Sequence, residues 1–569
     1  MTGATAGAAT APAAERPAIT AETIVRWASL TALAAFLGLA VVLPLYAMLS
    51  KSFQSADGAF VGLANYAAYF SSPTLFQSIG NSLFIAVVST AITTVIAFLY
   101  AYGLTRTCMP GKGLFRAIAT IPILAPSLLP AISLVYLFGN QGMLKELMLG
   151  ASIYGPIGII VGMVFFTLPH AVMILYTALS LADARLYEAA NVLGASRRKT
   201  FLSVTLPGVR YGLISAILVV FTLVITDFGV PKVIGGRYNV LATDVYKQVV
   251  GQQNFEMGAV VGMILLIPAA LAFLADRIVQ RRQVSQLGAR AVPYQPKRAR
   301  TVDLAYLIVC LVVAAFLVGL LGVAGYASLV RFWPYDLSLS LANYDFTSVD
   351  PDGWAAWFNS LRMAAWTALI GSMIVFAGAY LVEKGRGLGW LRGLVHFMAM
   401  VPLAVPGLVL GISYIFFFNH PANPLNGLIG TMAILVLCTI VHFYTVSHLT
   451  AVTALKQIDP EFEAVSASLK VPFYKTFWRV TVPICLPTIL DIALYLFVNA
   501  MTTVSAVVFL FSADTKLAAI SVLAMDDAGA TAAAAAMAMM IVYTSAVVRG
   551  LHTLVSWWLS SRTHAWRRR

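Results

Sequence analysis

Apolar runs of about 18 residues or more, parted by short polar stretches, succeed one another along the chain, and each is long enough to cross a bilayer as one helix. Twelve such spans are predicted, at 28–50, 80–102, 117–139, 153–180, 210–231, 257–280, 303–330, 360–382, 395–418, 428–452, 488–512 and 528–559. The apolar part of the first exceeds the ~7–15 residues of a cleaved signal core and no small-residue cleavage site follows it closely, so it is read as a retained span. The Ala-rich leader, 1–20, is expected to be disordered.

The second half of the pattern repeats the first. "LANY" occurs at Leu63–Tyr66 and at Leu341–Tyr344, and "NSL" opens a helix at Asn81 and again at Asn359. "IPILAPSLLPAISLVYLF" from Ile121 answers "VPLAVPGLVLGISYIFFF" from Val401, setting Pro122 and Pro126 against Pro402 and Pro406. "YEAANVLGASRRKTFLSVTLP", Tyr187–Pro207, answers "FEAVSASLKVPFYKTFWRVTVP", Phe462–Pro483, with one residue more in the second copy. Six crossings per half, an even number, give both copies the same orientation. The expected fold is therefore all-α: a first repeat at 21–282, a polar proline-bearing linker at 283–302, and a second repeat at 303–569, related by a pseudo-two-fold axis along the membrane normal.

Composition supports the pattern. Of 569 residues 60% are hydrophobic and 11% charged, which excludes an ordinary soluble domain. The net charge of +14 would suit nucleic acid, but 28 of the 37 Lys and Arg fall on one side of the predicted spans. That bias sets orientation: both termini are expected in the cytoplasm, with no nucleic-acid partner. The outer loop 331–358 is acidic, with Asp336, Asp345, Asp350 and Asp352 against Arg331. Arg567–Arg569 would meet anionic membrane lipid. Cys108, Cys310, Cys438 and Cys485 have no paired spacing, so neither a disulfide framework nor a metal site is expected.

The polar interruptions bear on mechanism. An ion-coupled carrier needs ionisable groups at membrane depth, and the candidates are few: His170, His442, His448, Asp227 and Asp491, the histidines having no counterpart in the other half. A membrane enzyme would need a constellation of carboxylates, His or Cys at one depth, which the sequence lacks. The energy source is then expected outside the chain, whose "PGKGLF" at Pro110 lacks the first glycine and the hydroxyl of a phosphate loop.

The repeated segment lies in each half between the fourth and fifth crossings. In the first copy a short helix with Glu188 near its start, a turn at Gly194 and a second short helix capped by Ser196, with Phe201 and Val204 on one face, predict a rigid knob ending at Pro207. The segment resembles the EAA loop of permease subunits of binding-protein-dependent ABC importers. Glu188, Ala189, Ala190, Gly194, Phe201, Leu206 and Pro207 match that pattern, as do Glu463, Ala464, Phe477 and Pro483 in the second copy. The resemblance implies coupling loops at about 183–207 and 457–483 that dock on homodimeric ABC ATPase subunits, where ATP and Mg are bound. It also implies an extracytoplasmic substrate-binding protein, a bacterial inner-membrane location and no cofactor in this chain. Val465 stands for the second alanine, and Lys470 and Pro472 lie near the usual glycine, so the two copies should grip the ATPase unequally.

The whole chain beyond its leader resembles the fused, two-in-one permeases of the ferric-iron and phosphonate branch. The stretch Thr226–Val261, with "RIVQRRQ" and "ARAVPY" after it, most resembles 2-aminoethylphosphonate permeases, which makes that small molecule the expected solute and ferric iron the alternative; polyamine, sulfate and thiamine are more distant. A gated path needs irregular backbone and small or polar walls. The proline breaks meet that need, as do Asn81 and Asn359, and Thr226 and Asp227 set against Asn499, Thr502, Thr503 and Ser505. Hydrogen bonding between helices is the competing role for each.

Overall fold

A computed structural model describes residues 21–284, 292, 294–385 and 387–563; the leader 1–20, residues 285–291 and 293 of the linker, and Arg567–Arg569 lie outside the described residues. Eight helices are long and apolar enough to cross a membrane unbroken, and four bent pairs raise the number to twelve. In chain order they are α1 (Ala21–Lys51), α2 (Pro73–Arg106), the pair α3 (Lys112–Leu124 and Leu128–Phe138), α4 (Pro156–Ser180), α5 (Arg197–Thr226) and α6 (Phe255–Gln280). The second half supplies α7 (Arg300–Leu329), α8 (Gly353–Glu383), the pairs α9 (Gly389–Ala404 and Gly407–Phe418), α10 (Met432–His442 and Tyr444–Lys456) and α11 (Phe473–Ile484 and Leu486–Thr502), and α12 (Thr531–Leu559).

The prolines dictate the breaks that both halves share. Pro122 and Pro126 bend α3 by 100°, and Pro402 and Pro406 bend α9 by 115°, because a proline interrupts the backbone ladder and pushes its predecessor out of helical geometry. The fifth helices differ. In α5 only Pro207 follows the repeated segment and the span stays continuous, whereas α11 carries Pro487 as well as Pro483 and bends by 77° at Cys485. Two predicted spans overran their helices: 210–231 stops at Thr226 and 488–512 at Thr502. The reason is local, since Asp227 and Thr503 both take extended backbone, and the Val230 amide then donates to the Asp227 carboxylate at 3.0 Å.

The first helix of each half packs on the other half. α1 lies along α8 and α9, where Leu33 fills the space above Gly378 and the Tyr414 hydroxyl donates to the Ala40 carbonyl at 2.8 Å. α7 lies along α2 and α3, with Tyr306 stacked on Tyr102 at 5.1 Å and Ser133 Oγ donating to the Leu320 carbonyl at 2.8 Å. Gly103 of α2 and Gly378 of α8 both sit at these contacts: a side chain at Gly103 would strike Cys310 and Tyr306 of α7, and one at Gly378 would strike Leu33 of α1 and the Tyr444 hydroxyl. One contiguous core therefore runs through both halves. The only paired strands among the described residues are Val330–Phe332 and Asp336–Leu339, in the acidic loop.

Candidate functional site

The first repeated segment folds as two short helices, Ala184–Val192 and Arg197–Thr200, joined by a tight turn. Asp183 opens the first by accepting the Arg185 amide at 3.1 Å, which places Glu188 past the first turn rather than near the start. The turn is a Schellman closure: Gly194 N bonds Asn191 O at 3.0 Å and Ala195 N bonds Ala190 O at 2.9 Å, with Gly194 at φ +67°. Ser196 caps the second helix by accepting the Lys199 amide at 3.3 Å. A π-turn, Phe201–Thr205, then leads into the apolar part of α5. Widening the turn makes room for Pro207, which has no N–H and would press on the carbonyl four residues back.

The second segment repeats this geometry with other residues. Asp459 accepts the Glu461 amide at 3.0 Å, Lys470 N bonds Ala467 O at 3.1 Å, Val471 N bonds Ser466 O at 2.9 Å, and a π-turn spans Phe477–Thr481. Lys470, at φ +53°, holds the left-handed position that Gly194 holds in the first copy. Asp183 and Asp459, Gly194 and Lys470, and Phe201 and Phe477 are all 276 residues apart, so the extra residue inferred in the second copy does not exist. Pairing the letters "EA" shifted the register by one. Glu463 stands at the place of Tyr187, and Ala464 at that of Glu188.

Side-chain surroundings agree with the shifted register. Tyr187 is buried and donates to Thr205 Oγ1 at 3.1 Å; Arg106, at the end of α2, lies over its ring at 5.1 Å. In the second half Lys384, past the end of α8, meets Glu463 at 3.4 Å and donates to the Ile458 carbonyl at 3.1 Å. Arg106 and Lys384 were counted in the sequence only as orientation charges; the structure makes each the inner anchor of a repeated segment. Glu188, Ala189, Val192 and Leu193 are exposed, the last two at 87% and 83%, while Ala190 is buried. Ala464, Val465 and Leu469 are exposed in the second copy, and Phe201 and Phe477 are half-buried against α2 and α8. Pro207 and Pro483 are exposed at the helix entries.

Each knob is also held from outside its own bundle. Val292 and Tyr294, from the segment between the halves, meet the first: Ala184 N donates to Val292 O at 2.9 Å and Tyr294 lies 4.5 Å from the Tyr187 ring. α1 meets the second, with Glu22 accepting the Phe473 amide at 3.3 Å and Arg26 over the Phe473 ring at 5.0 Å.

The remaining candidates divide into two places. Asn81 donates to the Asn239 carbonyl at 2.9 Å, and Asn359 to those of Asp514 and Lys516 at 3.0 and 3.2 Å. Ser82 and Ser360, the next residues, accept the amides of Leu241 and Ala518, both at 2.8 Å. The "NS" repeat thus staples the loop ahead of each last span onto α2 and α8, and the serines, missed in the sequence, were legible as half of that motif. At the second place, Thr226 Oγ1, Asn499 Nδ2 and Thr502 Oγ1 donate back to their own helices, and Thr503 is 8% exposed. Here the ends of α5 and α11 touch the breaks of α3 and α9 through a serine pressed on a glycine. Ser127 abuts Gly229 in one half and Ser505 abuts Gly407 in the other, so the element that supplies the serine and the one that supplies the glycine are exchanged between halves.

Between these ends runs a cross-half contact that sequence reasoning missed. Lys232 pairs with Asp527 at 3.0 Å and lies over Tyr246, whose ring stacks on Phe509 at 6.2 Å. Burial and the neighbouring Asp527 raise the Asp526 carboxyl to about 6. No pattern in one half alone could show a pair whose members come from opposite halves. Among the described residues no group of three His, Cys, Asp or Glu side chains could hold a metal ion.

Comparison with known proteins places this geometry. The family model of the binding-protein-dependent transport system inner membrane component matches twice, at residues 110–285 and 374–560, so each match contains one knob and one of the proline breaks of α3 and α9. The ferric transport system permease protein FbpB of Actinobacillus pleuropneumoniae is 28% identical over 492 residues, covering 83% of this chain and 70% of that protein. A Haemophilus influenzae relative bearing the name FbpB 1 is 28% identical over 457 residues, 78% of this chain and 71% of that protein. The spermidine/putrescine transport system permease protein PotB of Escherichia coli is 28% identical over 265 residues, 43% of this chain and 96% of that protein, a single-repeat length. The chain belongs to the binding-protein-dependent transport system inner membrane components and is a multi-pass permease of an ABC importer, carrying the family's domain twice.

Proposed function

We propose that this chain forms the complete membrane path of an ATP-driven importer for ferric iron, delivered by an extracytoplasmic binding protein. The observation that carries the solute is that the FbpB relative aligns across both halves rather than one. The two knobs are the docking points for a pair of identical ATPase subunits in the cytoplasm, which hold ATP and Mg; their exposed Val192, Leu193, Val465 and Leu469 offer apolar surface with basic residues beside it. Both termini then lie in the cytoplasm, as the charge bias requires. Solute passes where the breaks of α3 and α9 meet the ends of α5 and α11, and the Lys232–Asp527 pair closes the halves on each other.

A second reading, 2-aminoethylphosphonate, rests on the stretch Thr226–Val261, which runs from the end of α5 past the Lys232–Asp527 pair and the Asn81 staple into α6. Uptake of radiolabelled ferric iron and of labelled 2-aminoethylphosphonate, in cells lacking the chain and in cells complemented with it or with Gly194→Asp, separates the two. Iron uptake restored by the native chain and abolished by the substitution is the expected result. Restoration of phosphonate uptake instead replaces the solute and keeps the mechanism; uptake indifferent to Gly194→Asp overturns ATP coupling through the knob.

A further inference from the structure

The seam between the second and fifth helices of each half is closed in one half and open in the other. In the second half Phe376 and Tyr380 are 2% and 5% exposed, with Phe477 against them at 5.9 and 4.8 Å. The bend of α11 at Cys485 lays Leu486–Thr502 along α8 and shuts the seam. In the first half the same three aromatics, Phe98, Tyr102 and Phe201, remain half-buried. The unbent α5 leaves a crevice of about 560 Å³ walled by Val87, Thr94 and Leu99 of α2 and by Phe201, Leu213 and Phe221 of α5. That volume falls within the ~300–1,000 Å³ of ligand sites.

Three observations identify an occupant. The crevice lies on the side of α2 and α5 away from α4, among exposed apolar side chains such as Val87, Val95 and Ile217, where the solvent is hydrocarbon. Its length along α2 from Val87 to Leu99 is about 18 Å at 1.5 Å per residue, close to the ~15 Å of one leaflet. Its basic end is marked by Arg197, Arg198 and Lys199 at the start of α5, all exposed and within about one helical turn of Phe201, which packs on Tyr102 at 6.2 Å. A chain-length apolar slot ending at cations fits one acyl chain of a phospholipid whose headgroup is anionic.

We propose that the first half carries a specific site for one anionic phospholipid, its acyl chain between α2 and α5 and its phosphate at Arg197, and that the second half has none. The lipid rests against Phe201, at the root of the first knob.

The test is native mass spectrometry of the purified full chain titrated with phosphatidylglycerol and, separately, phosphatidylethanolamine. The expected result is one phosphatidylglycerol retained at least about tenfold more tightly by the native chain than by Ala91→Trp, which fills the crevice, a loss equal to a couple of buried methylenes. Leu369→Trp, at the corresponding place on α8, should retain it, and Arg197→Gln should reduce the preference for phosphatidylglycerol over phosphatidylethanolamine. Equal retention by Ala91→Trp and the native chain, equal loss in Leu369→Trp, or no headgroup preference in the native chain would overturn the proposal. If Ala91→Trp does not fold, as judged by thermal melting, Ala91→Leu fills the same wall with less bulk and is read by the same criteria.

Discussion

The two halves draw the same backbone with different chemistry at three equivalent places. At the turn of the knob the first half has Gly194 and the second Lys470, both in the left-handed conformation. At the inner anchor the first half sets Arg106 over the buried Tyr187 ring, while the second sets Lys384 against Glu463. Beside the outer staple the first half has Ser72, and the second has Asp350 in its place, bound to Lys516 at 2.8 Å and to Ser521. Geometry is what the duplication preserved, and side-chain identity was free to drift wherever another interaction held the backbone. Equivalent positions therefore carry unequal energies, and the comparison can be broken at each.

The outer staple should show the largest difference. Asp350 is 3% exposed, and burial opposes its charge, but Lys516, Ser521 and the Asp352 amide outweigh that and hold its carboxyl below the usual range. Asp350→Ala leaves Lys516 with Asp352 alone, at 3.3 Å, and takes away the acceptor of Ser521; it is expected to cost about 2–3 kcal/mol, read as a lowered melting temperature, against less than about 0.5 kcal/mol for Ser72→Ala on the half-buried equivalent. Because the folded-state pKa is depressed, this stability is present above the ordinary carboxylate pKa and is lost as pH falls through the folded value. Acid should thus weaken the second half first, and Asp350→Asn should remove that part of the pH dependence. A melting curve whose acid limb is the same with and without Asp350 would contradict the ionic staple.

Next in size is the pair of glutamates. Glu188 is exposed on the first knob, and its geometric equivalent is Ala464, not Glu463. Glu188→Ala should lower solute-stimulated ATP hydrolysis in the assembled transporter by about tenfold, the loss of one charge-assisted contact of ~1.4 kcal/mol. Glu463→Ala should leave that rate within about threefold. It should instead lower the melting temperature, because Lys384 loses its partner at a site where the two side chains are 11% and 17% exposed. Equal losses of hydrolysis in the two variants would restore the letter-by-letter pairing and end the register argument.

That register shows what a sequence can and cannot display. The twelve apolar runs, the duplication and the proline breaks were legible because hydropathy and proline act through the backbone locally, and all reappear as helices or bends. The bend of α11 was legible too, in Pro487, and the predicted span 488–512 begins just past it, although the bend itself was not read from that proline. The knob was visible as a motif, but its second copy was misaligned: "EA" is two letters, and the true constraint is an Asx turn at one end and a left-handed turn at the other. Exchanged first helices, the Lys232–Asp527 pair and the Ser127–Gly229 and Ser505–Gly407 contacts join residues far apart in the chain. Local pattern carries no term for them. Asn81 and Asn359 were noticed for the right reason, a repeated polar group at a helix start, although each proved to be engaged with backbone carbonyls.

The smallest test isolates the backbone alone. A residue with a Cβ in the left-handed region costs about 1–2 kcal/mol relative to the right-handed one, and glycine escapes that cost while bringing roughly 0.5–1 kcal/mol of extra chain entropy to the unfolded state. A side-chain carbon at Gly194 would meet nothing within 4 Å, so Gly194→Ala tests conformation without collision and should destabilise by about 1 kcal/mol. Lys470→Gly should do the reverse and stabilise by about 0.5–1 kcal/mol, since φ is +53° there and the same two backbone hydrogen bonds close the turn. The two changes should therefore move the melting temperature in opposite directions although each acts on the same turn. If Lys470→Gly lowers it instead, the lysine side chain stabilises the second knob by more than its strain. The drift at this position would then be a replacement of one stabilising contribution by another, and the two knobs would differ in what holds them rather than in how firmly they are held.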